Sequence, residues 1–369
     1  MSRKIKVGII GCGKICDQYF KGCRAYEVLE VVACADLDVA RARAKALEYG
    51  VPRASSVAEL LAAPDIDLVV NLTVPQAHAE VNEAALLAGK HVYAEKPFAL
   101  NSHDGAKVLA LARERGLLVG CAPDTFLGGG FQTARKALDD GLIGRPVAAF
   151  GFMLGHGPES WHPSPEFYYQ RGGGPMFDMG PYYITALVNL LGPVARVCGS
   201  AQASFPERLI TSQPLAGKKV RVEVPTHYTG TMDFAGGAVA TLTMSFDVWP
   251  GPVLPRIVVY GSDGTLDIPD PNMFDGSVRF FRPGVKEAET LSPAHSLLRG
   301  RGTGVADMAY SILRRDRPHR ASGELAHHVV EVMEAFERSS TGERHERIHG
   351  TCARPTALPA GLADSVLDA

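Results

Sequence analysis

The first third of the chain repeats one pattern, in which a short apolar run is followed by a longer stretch of mixed polarity. Ile5-Lys6-Val7-Gly8-Ile9-Ile10, Leu29-Glu30-Val31-Val32-Ala33-Cys34-Ala35, Ile66-Asp67-Leu68-Val69-Val70-Asn71-Leu72, His91-Val92-Tyr93-Ala94 and Leu117-Leu118-Val119-Gly120-Cys121 predict strands. Helices are predicted after Cys16, where Tyr19 and Phe20 lie, and over residues 39–49, 76–88 and 102–115. Near-continuous apolar strands separated by helices predict a parallel sheet covered on both faces. Ligands of such sheets bind at the carboxyl ends of the strands. That edge carries Gly11, Asp36, Thr73, Pro75, Glu95, Lys96 and, one strand later, Asp124.

Beyond Cys121 the alternation stops. Residues 131–139 predict a helix, followed by strand-like runs at 147–152, 196–205, 220–224, 228–234, 239–246, 257–260, 265–268 and 278–281. Ala235-Gly236-Gly237 and Ser262-Asp263-Gly264 are hairpin signals between two pairs of these runs. This half predicts an α+β domain with a large, mostly antiparallel sheet, one face of which is left open. A helix over residues 321–339 carries His327 and His328. Adjacent helical residues point about 100° apart, so these two are poor co-ligands for a metal, and packing or solvation is expected of them. The expected organisation is an N-terminal Rossmann domain with a doubly wound parallel sheet (residues 1–123), an α+β domain (124–345) and a C-terminal tail (346–369).

Composition narrows the classes of function. The chain has 369 residues, 46% apolar and 21% charged, and a net charge of −2, which provides no basic footprint for nucleic acid and no polybasic patch for a membrane. Gly11, Gly13 and Lys14 interrupt the first apolar run, so no signal peptide is expected, and no stretch reaches the roughly 18 to 20 apolar residues that span a bilayer. The cysteines, at 12, 16, 23, 34, 121, 198 and 352, are odd in number and show no paired metal-ligand or disulfide spacing. They are expected as buried small residues in a reducing cytoplasm.

A strand that runs into Gly11-Cys12-Gly13-Lys14-Ile15-Cys16 and then a helix makes a phosphate site. Gly11 permits the tight turn, Gly13 lets the backbone approach a pyrophosphate, and the helix start offers unpaired N–H groups beside Lys14 and Ile15. Cys16 replaces the third glycine of the usual pattern. Asp36, at the end of the second predicted strand, suits both ribose hydroxyls of NAD and repels the 2′-phosphate of NADP. The alternative is that the glycines form a structural turn and Asp36 caps the helix over 39–49. If a nucleotide binds here, Lys96 lies where its reactive end meets a substrate.

Two later stretches carry candidate chemistry. Residues 155–174 hold His156, Trp161, His162, Tyr168, Tyr169 and Arg171 among prolines and glycines. Rings that stack on C–H faces, with His and Arg to bind hydroxyls, suit a sugar, and Trp161, His162 and Arg171 are the candidate contacts. The alternative is an ordered cover packed on the sheet. Next comes Gly172-Gly173-Gly174-Pro175-Met176-Phe177-Asp178-Met179-Gly180-Pro181-Tyr182-Tyr183. On a helix Asp178 and Tyr182 share one face, although Pro181 is expected to mark the start of the regular helix.

Thr73-Val74-Pro75, His78, Ala88-Gly89-Lys90-His91-Val92 and Glu95-Lys96-Pro97, with the glycine run and the pattern from Asp178 to Tyr182, resemble the Gfo/Idh/MocA oxidoreductases. The resemblance covers nearly the whole chain. It implies a nicotinamide enzyme acting on a sugar, sugar derivative or cyclitol, a cofactor set that includes Thr73, Pro75, Glu95 and Lys96, and a cis peptide after Lys96. It also implies subunit pairing through the open sheet face, as a homodimer or homotetramer. Most members carry histidine where this chain has Tyr182, which resembles the glucose-fructose oxidoreductase and dihydrodiol dehydrogenase branches. Asp124 stands where many members have asparagine, so substrate preference does not transfer from them.

Oxidising a secondary alcohol requires the hydroxyl proton to leave as hydride is transferred. A free tyrosine, with a pKa near 10, is a poor base at neutral pH, and a lysine cation nearby makes it a better one. Tyr182 is therefore expected as acid-base group, Lys96 as the cation on the substrate oxygen and Asp178 as an orienting acceptor. A redox-neutral reaction with tightly bound, recycled NAD is the alternative within enzymes, and a non-catalytic nucleotide sensor the alternative outside them.

Overall fold

The computed structural model describes residues 3–249, 251, 254–314 and 316–367. The expected domain limits at residues 1 and 369 lie outside these. The chain divides into two compact units, one formed by residues 1–132, 294–327 and 355–369, the other by 133–293 and 328–354. This partition differs from a contiguous cut near residue 123, because two later segments pack with the first unit.

In the first unit, β1 (Ile5–Ile10), β2 (Leu29–Ala35), β3 (Arg53–Ser55), β4 (Leu68–Asn71), β5 (His91–Ala94) and β6 (Val119–Cys121) form a parallel sheet in the order β3-β2-β1-β4-β5-β6. The order reverses beside β1, so the carboxyl ends of β1 and β4 flank the switch point where such sheets bind ligands. The crossover helices are α1 (Cys16–Arg24), α2 (Val39–Tyr49), α3 (Val57–Ala62), α4 (His78–Leu87) and α5 (Ser102–Arg115). Their ends are set by local chemistry. Asp38 accepts from the amides of Ala40 and Arg41 at the start of α2, and Gly50 closes it with φ 56°. Ser56 and Glu59 form a capping box on α3, and Asn101 caps α5. Neither β3 nor α3 is evident in the apolar pattern, since Arg53-Ala54-Ser55 is short and polar.

The second unit begins within α6 (Gly129–Asp139) and continues through β7 (Pro146–Leu154), α7 (Gly174–Leu191), β8 (Val194–Gln202), β9 (Glu207–Leu209), β10 (Lys219–Arg221), β11 (His227–Phe234), β12 (Val239–Ser245), β13 (Ile257–Gly261), β14 (Thr265–Ile268), β15 (Arg279–Phe281) and β16 (Glu289–Thr290). The first unit then takes α8 (Thr303–Leu313) and the start of α9 (Gly323–Gly342), and β17 (Glu346–Arg347) ends the second sheet. That sheet has the order β16-β15-β14-β13-β7-β12-β11-β8-β17, antiparallel throughout except between β7 and β12. Both hairpins signalled by glycine turns are present, β11 with β12 and β13 with β14.

Alternation along the strands separates the faces of this sheet. Ala240, Leu242 and Met244 are buried, while Thr241 and Thr243 between them are half-buried. An ideal Cβ on Gly151 would lie 3.4 Å from Tyr183 and 3.9 Å from Leu187, and one on Gly199 2.6 Å from Phe336, so α7 and α9 cover one face. The other face presents Phe150, Phe152 and Tyr260, with ring centroids 6.1 and 5.5 Å from Phe150. The run at 220–224 does not join this sheet. Its strand β10 pairs with β9 in a separate hairpin, because alternate burial of Val220 serves a small core with Tyr169, Ile210 and Phe246.

Helix α7 starts at Gly174 and passes through Pro181, which corrects the expectation that Pro181 marks its start. An interior proline costs about 3 kcal/mol of helix stability. The helix is buried on nearly every side from Gly174 to Leu190, and that packing offsets the cost.

Among the described residues no helix is long and apolar enough to cross a membrane, and no group of His, Cys, Asp and Glu is arranged to hold a metal. His328 accepts from the amide of Val194 at 3.0 Å and donates to Gly350 O at 2.9 Å, and His327 Nε2 lies 2.9 Å from Ser102 O. The cysteines are free thiols, buried except for half-buried Cys198.

Candidate active site

The carboxyl edge of the parallel sheet gathers the predicted cofactor residues. After β1 the chain turns at Gly11, whose φ of 100° favours glycine and whose ideal Cβ would lie 2.6 Å from Leu72 O. Gly11 N donates to Ala35 O at 2.8 Å, which closes the turn against β2. Gly13 and Lys14 are exposed, and an ideal Cβ on Gly13 would meet no atom within 4 Å. The first turn of α1 follows, and its N-cap residue Ile15 supplies no side-chain cap. An open, side-chain-free turn before an uncapped helix start suits a pyrophosphate.

Asp36 sits across this turn, its side chain 11% exposed. Oδ2 accepts from Cys12 N at 2.8 Å and Oδ1 from Asp38 N at 2.9 Å. Arg41 Nη1 approaches Oδ1 at 3.6 Å. A carboxylate has about four acceptor positions, so two backbone donors leave capacity for ribose hydroxyls. Helix α2 is capped by Asp38, so the capping alternative for Asp36 is filled by a different residue. Leu37 is 96% exposed and Val74 62%, each just past the end of a strand, where a flat apolar base can lie. These residues fit a dinucleotide, whose nicotinamide would supply the hydride chemistry.

The next two strand ends are tied together by polar side chains. Asn71 Oδ1 accepts from Thr73 Oγ1 at 2.7 Å, and Asn71 O accepts from Glu95 N at 2.8 Å. His78, 1% exposed, lies with Nδ1 2.7 Å from Pro97 O and Nε2 2.9 Å from Thr73 O. Burial holds its pKa below the ordinary 6.5, against the two carbonyls, which favour the doubly protonated ring. Glu95 accepts from Tyr19 Oη at 2.8 Å and from Lys96 N at 3.0 Å. Lys96 is half-buried, Pro75 lies in the 3-10 turn after Val74, and the Lys96–Pro97 peptide is cis. Tyr19 and His78 are supports that no sequence reading assigned. The resemblance covers His78 by its motif, but Tyr19 lies in α1, far from Glu95 in sequence.

Asp124 is expected among the substrate contacts, beside Trp161, His162 and Arg171. It is fully buried, with Oδ2 accepting from Gly304 N at 2.9 Å and Oδ1 from Arg301 Nη1 at 3.3 Å. Burial raises its pKa above the ordinary 3.8, opposed by Arg301. The acid is held by the start of α8, a helix that the apolar pattern did not reveal.

In the second unit Asp178 and Tyr182 lie one turn apart on α7, Asp178 half-buried and Tyr182 5% exposed. The stretch before it contains the 3-10 turns Pro158–Ser160 and Pro165–Tyr169. Trp161 is 64% exposed, His162 half-buried and Arg171 exposed. The rings of Trp161 and His162 meet edge to face at 5.5 Å, and His162 meets Tyr168 at 5.4 Å. Tyr169, by contrast, is fully buried. The stretch is thus divided, with Trp161 and Arg171 outward and Tyr169 packed inside.

A parallel sheet with a glycine turn after its first strand and an acid at the end of its second defines a dinucleotide-binding class of fold. Residues 5–122 match the family profile described as oxidoreductase family, NAD-binding Rossmann fold, and residues 131–267 match the GFO/IDH/MocA C-terminal domain. The chain belongs to the Gfo/Idh/MocA oxidoreductase family. It is 33% identical over 177 residues to 1,5-anhydro-D-fructose reductase of Ensifer adhaerens, a match covering 47% of this chain and 52% of that one. It thus spans about half the length of that relative. The fold is shared with an NAD-binding oxidoreductase from Klebsiella pneumoniae (TM-score 0.81, 23% identity, covering 94% of this chain and 99% of the other). It is shared also with levoglucosan dehydrogenase in complex with NADH and levoglucosan (TM-score 0.79, 19% identity, 94% and 100%).

Proposed function

We propose that the chain is an NAD-dependent oxidoreductase that transfers hydride between nicotinamide and a secondary alcohol or ketone of a sugar, sugar derivative or cyclitol. The observation that carries this reading is the single sheet edge that gathers Gly11, Asp36, Thr73 and Glu95-Lys96-Pro97, where Cys12 N donates to Asp36 and His78 bridges Thr73 O and Pro97 O. Family membership and the similarity to a sugar reductase and to levoglucosan dehydrogenase support the substrate class. Asp36 supports NAD over NADP, since a carboxylate that accepts hydroxyls repels a phosphate.

In this reading Gly11, Gly13, Lys14 and Ile15 hold the pyrophosphate, Asp36 the adenosine ribose, and Thr73, Pro75 and Glu95 the region towards the nicotinamide. The bound dinucleotide supplies the hydride acceptor or donor. Lys96 stabilises charge on the substrate oxygen, Tyr182 takes up or returns the hydroxyl proton, and Asp178 orients the reacting group by accepting a hydrogen bond. Trp161, His162 and Arg171 bind the sugar. Asp124 supports the sheet edge through Arg301 and α8.

Absorbance of NADH during incubation with levoglucosan and NAD, and with 1,5-anhydro-D-fructose and NADH, tests the reaction. Turnover of either, or of another pyranose or inositol in the same assay, supports it. NAD retained through purification with no net NADH change supports the redox-neutral alternative instead. The open face with Phe150, Phe152 and Tyr260 supports a homodimer or homotetramer, and sedimentation showing only monomer contradicts that part.

A further inference from the structure

The second unit carries a buried charge cluster that none of these roles uses. Arg208, in β9, places a side chain that is 4% exposed between Glu159 and Asp247, which are 8% and 3% exposed. Nε and Nη2 donate to Glu159 Oε1 at 2.8 and 2.5 Å, and Nη1 donates to Asp247 Oδ1 at 3.0 Å. Nη2 also reaches the carbonyl oxygens of Phe246, at 3.0 Å, and His156. One cation thus serves two buried carboxylates and two carbonyls. A planar guanidinium can do this and an ammonium cannot.

Glu159 extends the cluster into the aromatic stretch. Its Oε2 accepts from Tyr169 Oη, and its carbonyl accepts from the amides of Thr211 and Ser212 at 2.9 and 3.0 Å. Ser212 Oγ donates to His162 O at 2.5 Å. The β9–β10 hairpin and its turn therefore hold the stretch at His156, Glu159, His162 and Tyr169, on both sides of Trp161. Exposed rings keep one arrangement only when the backbone beneath them is fixed, and here Arg208 holds His156 O and the Glu159 carboxylate while Thr211 and Ser212 hold the carbonyls of Glu159 and His162.

We propose that Arg208 is the positioning residue of the 156–169 stretch, which sets the places of Trp161 and His162 and through them the affinity for a sugar. The last step rests on the reading of this stretch as the sugar-binding surface. Arg208 need not touch the substrate. Its effect is preorganisation.

Both tryptophans of the chain report on the stretch: Trp161 lies within it, and Trp249 stacks on His156 at 3.7 Å. The test uses the full chain and the variants Arg208→Lys and Tyr169→Phe. It reads tryptophan emission and acrylamide quenching, NADH affinity, and KM and kcat for levoglucosan and 1,5-anhydro-D-fructose. Arg208→Lys is expected to shift emission and raise the sugar KM by about tenfold or more, with a smaller change in kcat and none in NADH affinity. Tyr169→Phe removes one hydroxyl and leaves the arginine, so a smaller shift in the same direction is expected, and this variant decides the matter if Arg208→Lys does not fold. Unchanged emission and quenching in a folded variant overturn the role of Arg208. Shifted emission with an unchanged sugar KM overturns its link to the sugar, and with it the sugar-binding reading of the stretch, while hydride transfer itself still stands.

Discussion

The amide of Cys12 donates to Asp36 Oδ2 at 2.8 Å, so the acid at the end of β2 holds the turn that follows β1. Asp36 thus ties the end of β2 to the turn in which the proposed pyrophosphate residues lie. An acid that only discriminated between cofactors would need no such bond.

Asp36→Ala is therefore expected to weaken NAD in two ways, by losing the ribose acceptor and by releasing the turn. A hydrogen bond to a charged group contributes about 1.5–3 kcal/mol, so kcat/KM with NAD should fall by about 10- to 100-fold. The ratio of NADP to NAD efficiency should rise at the same time, since the repelling charge is gone. Steady-state kinetics with both cofactors checks this, and an unchanged ratio would show that Asp36 does not face the ribose.

Tyr182→Phe removes the proposed acid-base hydroxyl and keeps the ring, which is 5% exposed on a well-packed helix. Positioned proton transfer contributes about 10²- to 10⁴-fold, and kcat should fall by that order. The pH–rate profile should lose a limb. A variant that keeps both its rate and its profile would move the proton to another group, with His162 the first to replace.

The buried histidines predict a pH dependence of stability. His319, 8% exposed with Nε2 2.8 Å from Val119 O, and His78 both have pKa values held below 6.5 chiefly by burial. In the unfolded chain they protonate near 6.5, before they do so in the folded one. Their contribution is thus fully present above about pH 6.5 and declines as pH falls below it, because the unfolded state then binds more protons. Calorimetry across this range should show the melting temperature fall on the acid side, and His319→Gln should flatten that slope. A melting temperature that rises on acidification would contradict the assignment.

The first unit was largely legible in the chain. Strands β1 and β2 are near-continuous apolar runs with glycine or acid at their ends, so both the elements and the roles offered for Gly11 and Asp36 follow from local order. The hairpin turns at Gly236 and Gly264 were readable for the same reason. What escaped was non-local. Asp124 reads as an edge residue in the sequence, whereas its partner Gly304 comes from α8, some 180 positions away. Arg208, Glu159 and Asp247 share no motif and meet only in space. Pro181 marked a helix start by propensity, and burial of α7 overrode it. Segments 294–327 and 355–369 return to the first unit through packing that no local pattern encodes.

In the proposed function Lys96 serves the chemistry at the end of a cofactor site held by other residues. The most direct measurement is kcat of Lys96→Met beside its affinity for NADH, taken with a sugar that the unaltered protein turns over. Loss of a charge that stabilises a developing oxyanion costs about 10²- to 10³-fold, so kcat should fall by at least that much, with NADH affinity unchanged within about threefold. Turnover retained in Lys96→Met would contradict that role.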